Sequence, residues 1–149
     1  SSLQERLLAA KKIQQHGFSL GFHFDPIIYS KDWETLYKKL INTLYTTLPG
    51  PFKWISLGTL RFNRELKPIV EKRFPNTKPI YGELFLGKDK KLSYPEFMRI
   101  EIYKKIIKWI RRYDQNTPLY LCMETKEIWQ ECLTKVNSSK QIEQMLIPK

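Results

Sequence analysis

The sequence predicts an α/β fold. Short runs rich in aromatic and β-branched residues alternate with longer stretches whose apolar residues recur at helical spacing. The connections between them are short and marked by Pro, Gly and Asn, as in Pro49-Gly50-Pro51 and Pro75-Asn76-Thr77. Of the 149 residues, 42% are hydrophobic and 28% charged, which suits one core rather than a disordered chain. Strand and helix in regular alternation imply parallel strands joined by right-handed crossovers.

Leu3–Gln15 carries Leu3, Leu7, Leu8 and Ile13 at helical spacing, with Ser1 or Ser2 as N-cap, Glu5 in the first turn and Gly17 as the stop. Phe18–Tyr29 reads as a buried strand ending at Asp25-Pro26. Lys31–Leu48 is an amphipathic helix with Trp33, Leu36, Tyr37, Leu40, Ile41, Leu44 and Tyr45 along one stripe. Lys53–Leu60 is a short strand leaving through Gly58-Thr59. Asn63–Phe74 is a helix in which Pro68 either shortens the element or marks its first turn. Pro79–Leu86 reads as a third strand and Gly87–Leu92 as a polar, lysine-rich loop. Tyr94–Tyr113 is a long helix, Pro118–Met123 a fourth strand, and Thr125–Leu133 a helix capped by Thr125. The expectation is one domain over residues 1–134 with about four parallel strands and flanking helices, then a polar C-terminal tail, 135–149. A leading helix with no strand before it gives the chain the look of part of a barrel, with an exposed first-strand edge that invites self-association.

The 26 Lys+Arg against 15 Asp+Glu give a net charge of +11, which points to an anionic partner; DNA is the one expected. The denser basic stretches are Arg61–Arg73, Lys88–Lys91 and Lys104–Arg112, each of which is otherwise an ordinary solvated face. No apolar run approaches the ~20 residues of a membrane span, and Ser1–Gln15 lacks the pattern of a secretory signal. Two cysteines, Cys122 and Cys132, exclude a disulfide framework and suggest a reducing cytoplasm. Nine residues apart and without a nearby His, they do not make a metal site. Neither a GxGxxG nor a P-loop motif follows any predicted strand.

In α/β folds ligands gather at the carboxyl ends of parallel strands. Those ends offer His23 and Asp25; then Ser56, Gly58, Thr59 and Arg61; then Tyr81 and Glu83; and finally Cys122 and Glu124. His23 is a general base or ligand, or simply a hydrogen-bonded strand residue. Asp25 is a site carboxylate or a helix cap. Arg61 suits a phosphate or carboxylate, and Glu83 and Glu124 are candidates for a carboxylate pair. Lys88, Lys90 and Lys91, with Tyr94 close by, can hold a phosphate backbone while a ring supports an extruded base. These residues describe a binding mouth and name no reaction.

The runs SSLQERLLAAKKIQQHGFSLGFHFDPII, WISLGTLRF, ELKPIVEKRFP, YGELF and YLCMETKEIWQECL resemble the C-terminal half of the spore photoproduct lyase family, a branch of the radical S-adenosylmethionine enzymes. The resemblance covers roughly residues 1–133. It implies the C-terminal part of a partial (β/α)6 TIM-like barrel. It further implies a [4Fe–4S] cluster on a CxxxCxxC loop, cleavage of S-adenosylmethionine to a 5′-deoxyadenosyl radical, and radical carbon–carbon bond cleavage that repairs thymine-dimer lesions in DNA. This sequence has no CxxxCxxC, so by itself it is expected to bind neither cluster nor S-adenosylmethionine and to be inactive, its partner being the missing N-terminal half of the barrel. By barrel order, Ser2, Phe22, His23 and Asp25 fall on the S-adenosylmethionine side. Ser56, Thr59, Arg61, Tyr81, Glu83, Lys88, Lys90, Lys91, Tyr94 and Glu124 fall toward substrate. Two other readings stay open: a non-catalytic basic nucleic-acid-binding module, and a radical enzyme with a substrate other than DNA.

Overall fold

The computed structural model describes residues 1–87, 89–133 and 144. In chain order the elements are α1 (Leu3–Gln15), β1 (Gly21–Ile27), α2 (Trp33–Thr47), β2 (Trp54–Thr59), β3 (Arg61–Asn63), α3 (Leu66–Arg73), a 3-10 turn (Pro79–Tyr81), β4 (Phe85–Leu86), β5 (Lys91–Ser93), α4 (Glu96–Ile110), β6 (Leu119–Leu121) and α5 (Lys126–Cys132).

Alternation along the strands decides the architecture. Phe22, Ile55 and Leu119 lie in register across the parallel sheet β1-β2-β6, and Phe24, Leu57 and Leu121 form the next row. Side chains two residues apart share a face, so these six point the same way. They meet Ile41 and Leu44 of α2, Ile102, Ile106 and Ile110 of α4, and Ile128 of α5 in one continuous core. Burying each such aliphatic chain stabilises the fold by about 1.5–3 kcal/mol relative to leaving it exposed.

The helices start where their sequences supply caps. Ser2 Oγ accepts the Glu5 amide at 3.2 Å while Glu5 Oε2 accepts the Ser2 amide at 2.7 Å, a reciprocal capping box on α1. Pro68 is the third residue of α3, where an amide has no intrahelical partner to lose. Pro95 holds the chain extended just before α4, so that helix begins at Glu96 rather than Tyr94. At the opposite end of the sheet, Asp114 Oδ1 accepts the amides of Asn116 at 2.8 Å and Thr117 at 2.9 Å, and Thr117 Oγ1 donates to its other oxygen. Thr117 Oγ1 in turn accepts the Phe52 amide at 2.8 Å, tying the loop before β2 to the loop before β6.

Two expectations are corrected. The parallel sheet has three strands among the described residues, not about four, because Pro79–Leu86 does not join it. Pro79 and Gly82 break that segment into a 3-10 turn and the short β4. Of its apolar residues only Ile80 is buried, while Tyr81, Phe85 and Leu86 are more than half exposed. Gly87–Leu92, in turn, is not a plain loop. Its Gly87 amide donates to Lys91 O at 2.8 Å and closes a hairpin between β4 and β5. With β3 these form a second, antiparallel sheet in the order β3-β5-β4, carried on the chain that leaves β2.

In the parallel sheet β1 and β6 are the edge strands. No helix among the described residues is long and apolar enough to cross a membrane. The expected tail, 135–149, lies outside the described residues except for Gln144, and Lys88 lies outside them too.

Candidate functional site on the open face of the sheet

The residues between the core-facing ones form the other face of the sheet, and they are of a different chemical kind. Rows run across it in register. Gly21 lies opposite Trp54; His23, Ser56 and Tyr120 follow; and Asp25, Gly58 and Cys122 stand one step nearer the strands' carboxyl ends. His23 and Asp25 are exposed, and Trp54, Tyr120 and Cys122 are half-buried. The face thus grades from aromatic at its base to polar at its mouth.

Two glycines shape this surface by what they omit. A Cβ on Gly21 would lie 2.4 Å from the Trp54 ring, so the indole lies flat across β1. A Cβ on Gly58 would lie 2.6 Å from Asp25 Cγ, so the carboxylate rests directly on the backbone of β2. In the middle row, His23 Nδ1 and Ser56 Oγ share a hydrogen bond of 2.5 Å, and the imidazole sits edge-on to Trp54 at 4.7 Å between ring centres. Ser56 is fully buried beneath these groups.

At the mouth, a cavity of about 350 Å3 is lined by Asp25, Gly58, Thr59, Arg61, Lys91 and Cys122, among others. Arg61 bridges it. Its Nε and Nη2 donate to Asp89 Oδ2 at 3.1 and 2.5 Å, and its Nη1 donates to Met123 O. One guanidinium thereby joins the root of the second sheet, the hairpin turn and the end of β6. Arg61 beside it, chiefly through these hydrogen bonds, holds the Asp89 carboxyl below the usual range. Lys90 has φ +62° in the turn, a left-handed conformation that aims the chain back into β5.

Other expected residues are engaged elsewhere. Thr59 is buried, its amide donating to Tyr103 Oη at 3.0 Å. Tyr103 Oη donates in turn to Glu124 Oε1 at 2.7 Å, and Arg99 pairs with Glu124 Oε2. The Glu124 side chain is 3% exposed, so its carboxylate serves this interior network and forms no pair with Glu83, which is exposed beside a different cavity. Burial, and after it the Glu124 charge, push the Tyr103 hydroxyl well above the ordinary phenol range, so it remains a proton donor.

Tyr94 is 3% exposed and its hydroxyl accepts the Tyr29 amide at 3.0 Å, which leaves no open ring face for a base. The exposed rings near the second sheet are Tyr81, Phe85 and Phe97. Lys67 Nζ stands 5.5 Å from the Tyr81 ring centre. Ser2 is spent on capping α1, and Phe22 packs edge-on to Phe52 at 4.8 Å on the core side.

The two thiols do not suit an iron–sulfur cluster, which needs three deprotonated, converging sulfurs. Burial first, then the neighbouring Asp25 carboxylate, raises the Cys122 thiol, and burial pushes Cys132 up to about 11. No cluster of three or more His, Cys, Asp or Glu able to hold a metal occurs among the described residues.

Trp54, Tyr120 and Asp89 escaped the sequence reading. The first two carry a usable signal, since WISLG and LYLC alternate in step with the sheet pleat. Asp89, separated from Arg61 by 28 residues, carries none.

This geometry defines an α/β protein whose parallel sheet packs an apolar core on one face and, among the described residues, carries polar and aromatic side chains on the other, next to the carboxyl ends of the strands where α/β folds gather ligands. The sequence matches the spore photoproduct lyase family over residues 1–136, and the chain belongs to that family. It is 35% identical over 81 residues to spore photoproduct lyase of Bacillus subtilis (strain 168), covering 52% of this chain and 24% of that protein. Against the Clostridium acetobutylicum enzyme it is 28% identical over 128 residues, covering 74% and 38%. A solved spore photoproduct lyase complexed with dinucleoside spore photoproduct matches with a TM-score of 0.71 at 26% identity, over 82% of this chain and 39% of that one. A mutant form with bound AdoMet and dinucleoside spore photoproduct matches equally, with a TM-score of 0.71. The chain therefore spans between 24% and 39% of the length of these relatives.

Proposed function

We propose that this chain forms the C-terminal part of a partial (β/α)6 barrel in a spore photoproduct lyase-type enzyme, working in the cytoplasm on thymine-dimer lesions in DNA. One observation carries the reading: the parallel sheet packs apolar side chains on its helix side and presents His23, Asp25, Trp54, Tyr120 and Cys122 on the other. Such a face is the inner wall of an enzyme whose remaining strands lie alongside β1.

The chain's own residues hold and orient; they do not supply the radical. S-Adenosylmethionine, when bound to the complete enzyme, supplies the 5′-deoxyadenosyl group that abstracts hydrogen. His23 and Asp25 offer it an imidazole and a carboxylate acceptor suited to ribose hydroxyls and a base amine. A [4Fe–4S] cluster does not fit this chain's two raised thiols and belongs on the rest of the enzyme. Lys91 lines the mouth cavity and Lys90 precedes it in the hairpin turn; in this reading the two neutralise the DNA backbone, together with Lys88 of the same stretch of sequence. The Trp54 and Tyr120 rings, 5.9 Å apart between centres, form the floor beneath the lesion.

The test uses a longer protein that contains this chain together with a CxxxCxxC segment. It should form 5′-deoxyadenosine and convert spore-photoproduct DNA, and Asp25→Asn should lower both activities while leaving the melting temperature within a few degrees. Cleavage of S-adenosylmethionine with no effect on damaged DNA would replace the substrate assignment by another. Salt-dependent DNA binding indifferent to lesions, with no cleavage, would leave a non-catalytic basic module.

A further inference from the structure

The Arg61–Asp89 contact lies where the proposed DNA path crosses the mouth, and it rests on that reading. Three features set it apart from an incidental surface pair. Arg61 directs two of its N–H groups to the same Asp89 oxygen and a third to Met123 O, a fork geometry of the kind that also grips a phosphate. Asp89 sits in a turn built around it: its Oδ1 lies where a Cβ on Gly87 would come within 2.6 Å, and the same oxygen accepts the Lys91 amide at 3.3 Å. The pair is also reachable. The Arg61 side chain is 24% exposed and that of Asp89 38%, and Arg61 lines two cavities.

We propose that Asp89 is an internal occupant of a phosphate seat on Arg61, which a backbone phosphate of bound DNA displaces. A carboxylate offers the same charged oxygens to the fork as a phosphodiester does, with the same sign and a similar reach. The contact pins the lysine-bearing hairpin to the end of β6 in the free protein. When phosphate takes Arg61, the hairpin is released to follow the nucleic acid with Lys90 and Lys91. Asp89 thereby tunes affinity downward and favours ligands that bring a phosphate to that point, so it is a specificity-determining residue rather than a catalytic one.

The experiment measures binding of a fluorescein-labelled 12-nucleotide thymidylate strand to the full chain between 50 and 200 mM NaCl. Asp89→Asn should tighten binding roughly threefold to tenfold at the low-salt end while leaving the log–log salt slope nearly unchanged, because the same phosphate sits on Arg61 in both complexes and only the cost of displacing the carboxylate is removed. Gly87→Ala, which crowds the Asp89 side chain without changing charge, should move affinity in the same direction. Glu131→Gln is the matched control, since it removes an exposed acid paired with Lys104 on the outer helices, and it should change affinity less than about twofold. Arg61→Gln added to Asp89→Asn should cancel the gain. Equal effects of Asp89→Asn and Glu131→Gln, or weaker binding by Asp89→Asn, overturn the proposal while the DNA reading stands. Absence of salt-dependent binding by the unaltered chain overturns both.

Discussion

Replacing Tyr103 by Phe removes one oxygen from the interior network beneath the mouth. Tyr103 is fully buried, its hydroxyl accepts the Thr59 amide at 3.0 Å, and it donates to Glu124 at 2.7 Å. Phe fills nearly the same space, so the change isolates the two hydrogen bonds. The Thr59 amide, left without a partner at a buried position, costs about 1–3 kcal/mol, and a hydrogen bond to a charged acceptor is worth about 1.5–3 kcal/mol. Arg99 continues to hold the other Glu124 oxygen, which softens the second loss. The expected net destabilisation is about 3 kcal/mol. For a chain of this size that corresponds to a fall of roughly 6–12 °C in melting temperature. Urea denaturation followed by tryptophan fluorescence measures it through the shift in midpoint at constant slope. A loss below about 1 kcal/mol would refute the reasoning, because it would mean that Thr59 and Glu124 find other partners at no cost.

Gly58→Ala should leave the fold standing, at a cost of about 1–3 kcal/mol from overpacking. Its effect falls on Asp25, whose carboxylate has to leave the β2 backbone, so 5′-deoxyadenosine formation by the complete enzyme should drop far more than stability. Asp114 is held below the usual carboxylate range: burial opposes its charge, but the hydrogen bonds from Thr117 and Asn116, and then Arg111, outweigh it. Its stabilisation is therefore fully present above the unfolded value of about 3.9 and is lost as pH falls through the lower folded value. Asp114→Asn should lower stability at neutral pH and flatten this acid limb in a pH series of denaturant midpoints. Both thiols should react slowly with iodoacetamide at pH 7.5, Cys132 the more slowly, and should accelerate together on unfolding in urea. With β1 an edge strand among the described residues, the chain should self-associate at high concentration in sedimentation velocity; a strictly monomeric species would count against its role as part of a larger sheet.

The elements with strong periodicity were legible. α1 has the predicted limits, and α2, β1, β2, α5 and the last strand differ by trimmed ends, where capping and local pairing decide. The third strand failed for a physical reason. Pro79–Leu86 has strand composition, but Pro79 and Gly82 interrupt it and Ile80 alone finds a buried place, so propensity had no core to act on. At the site, strand-end logic singled out His23, Asp25 and Arg61, and in the structure they stand at or beside the open face. It could not tell that Glu124 turns inward to Arg99 and Tyr103, or that Tyr94 is sealed, because such choices depend on partners 21 to 65 residues away.

The two-sidedness of the sheet has a consequence for how the protein tolerates change. Along β1, substitutions at Phe22 and Phe24 fall on the core side, and those at His23 and Asp25 on the open side, so neighbours in the chain answer to different demands. On the proposed function, a library of single substitutions scored separately for abundance and for activity of the complete enzyme would show a two-beat rhythm through β1 and β2, each score peaking where the other is flat. Drift could then rework the open face one alternate residue at a time without softening the support behind it.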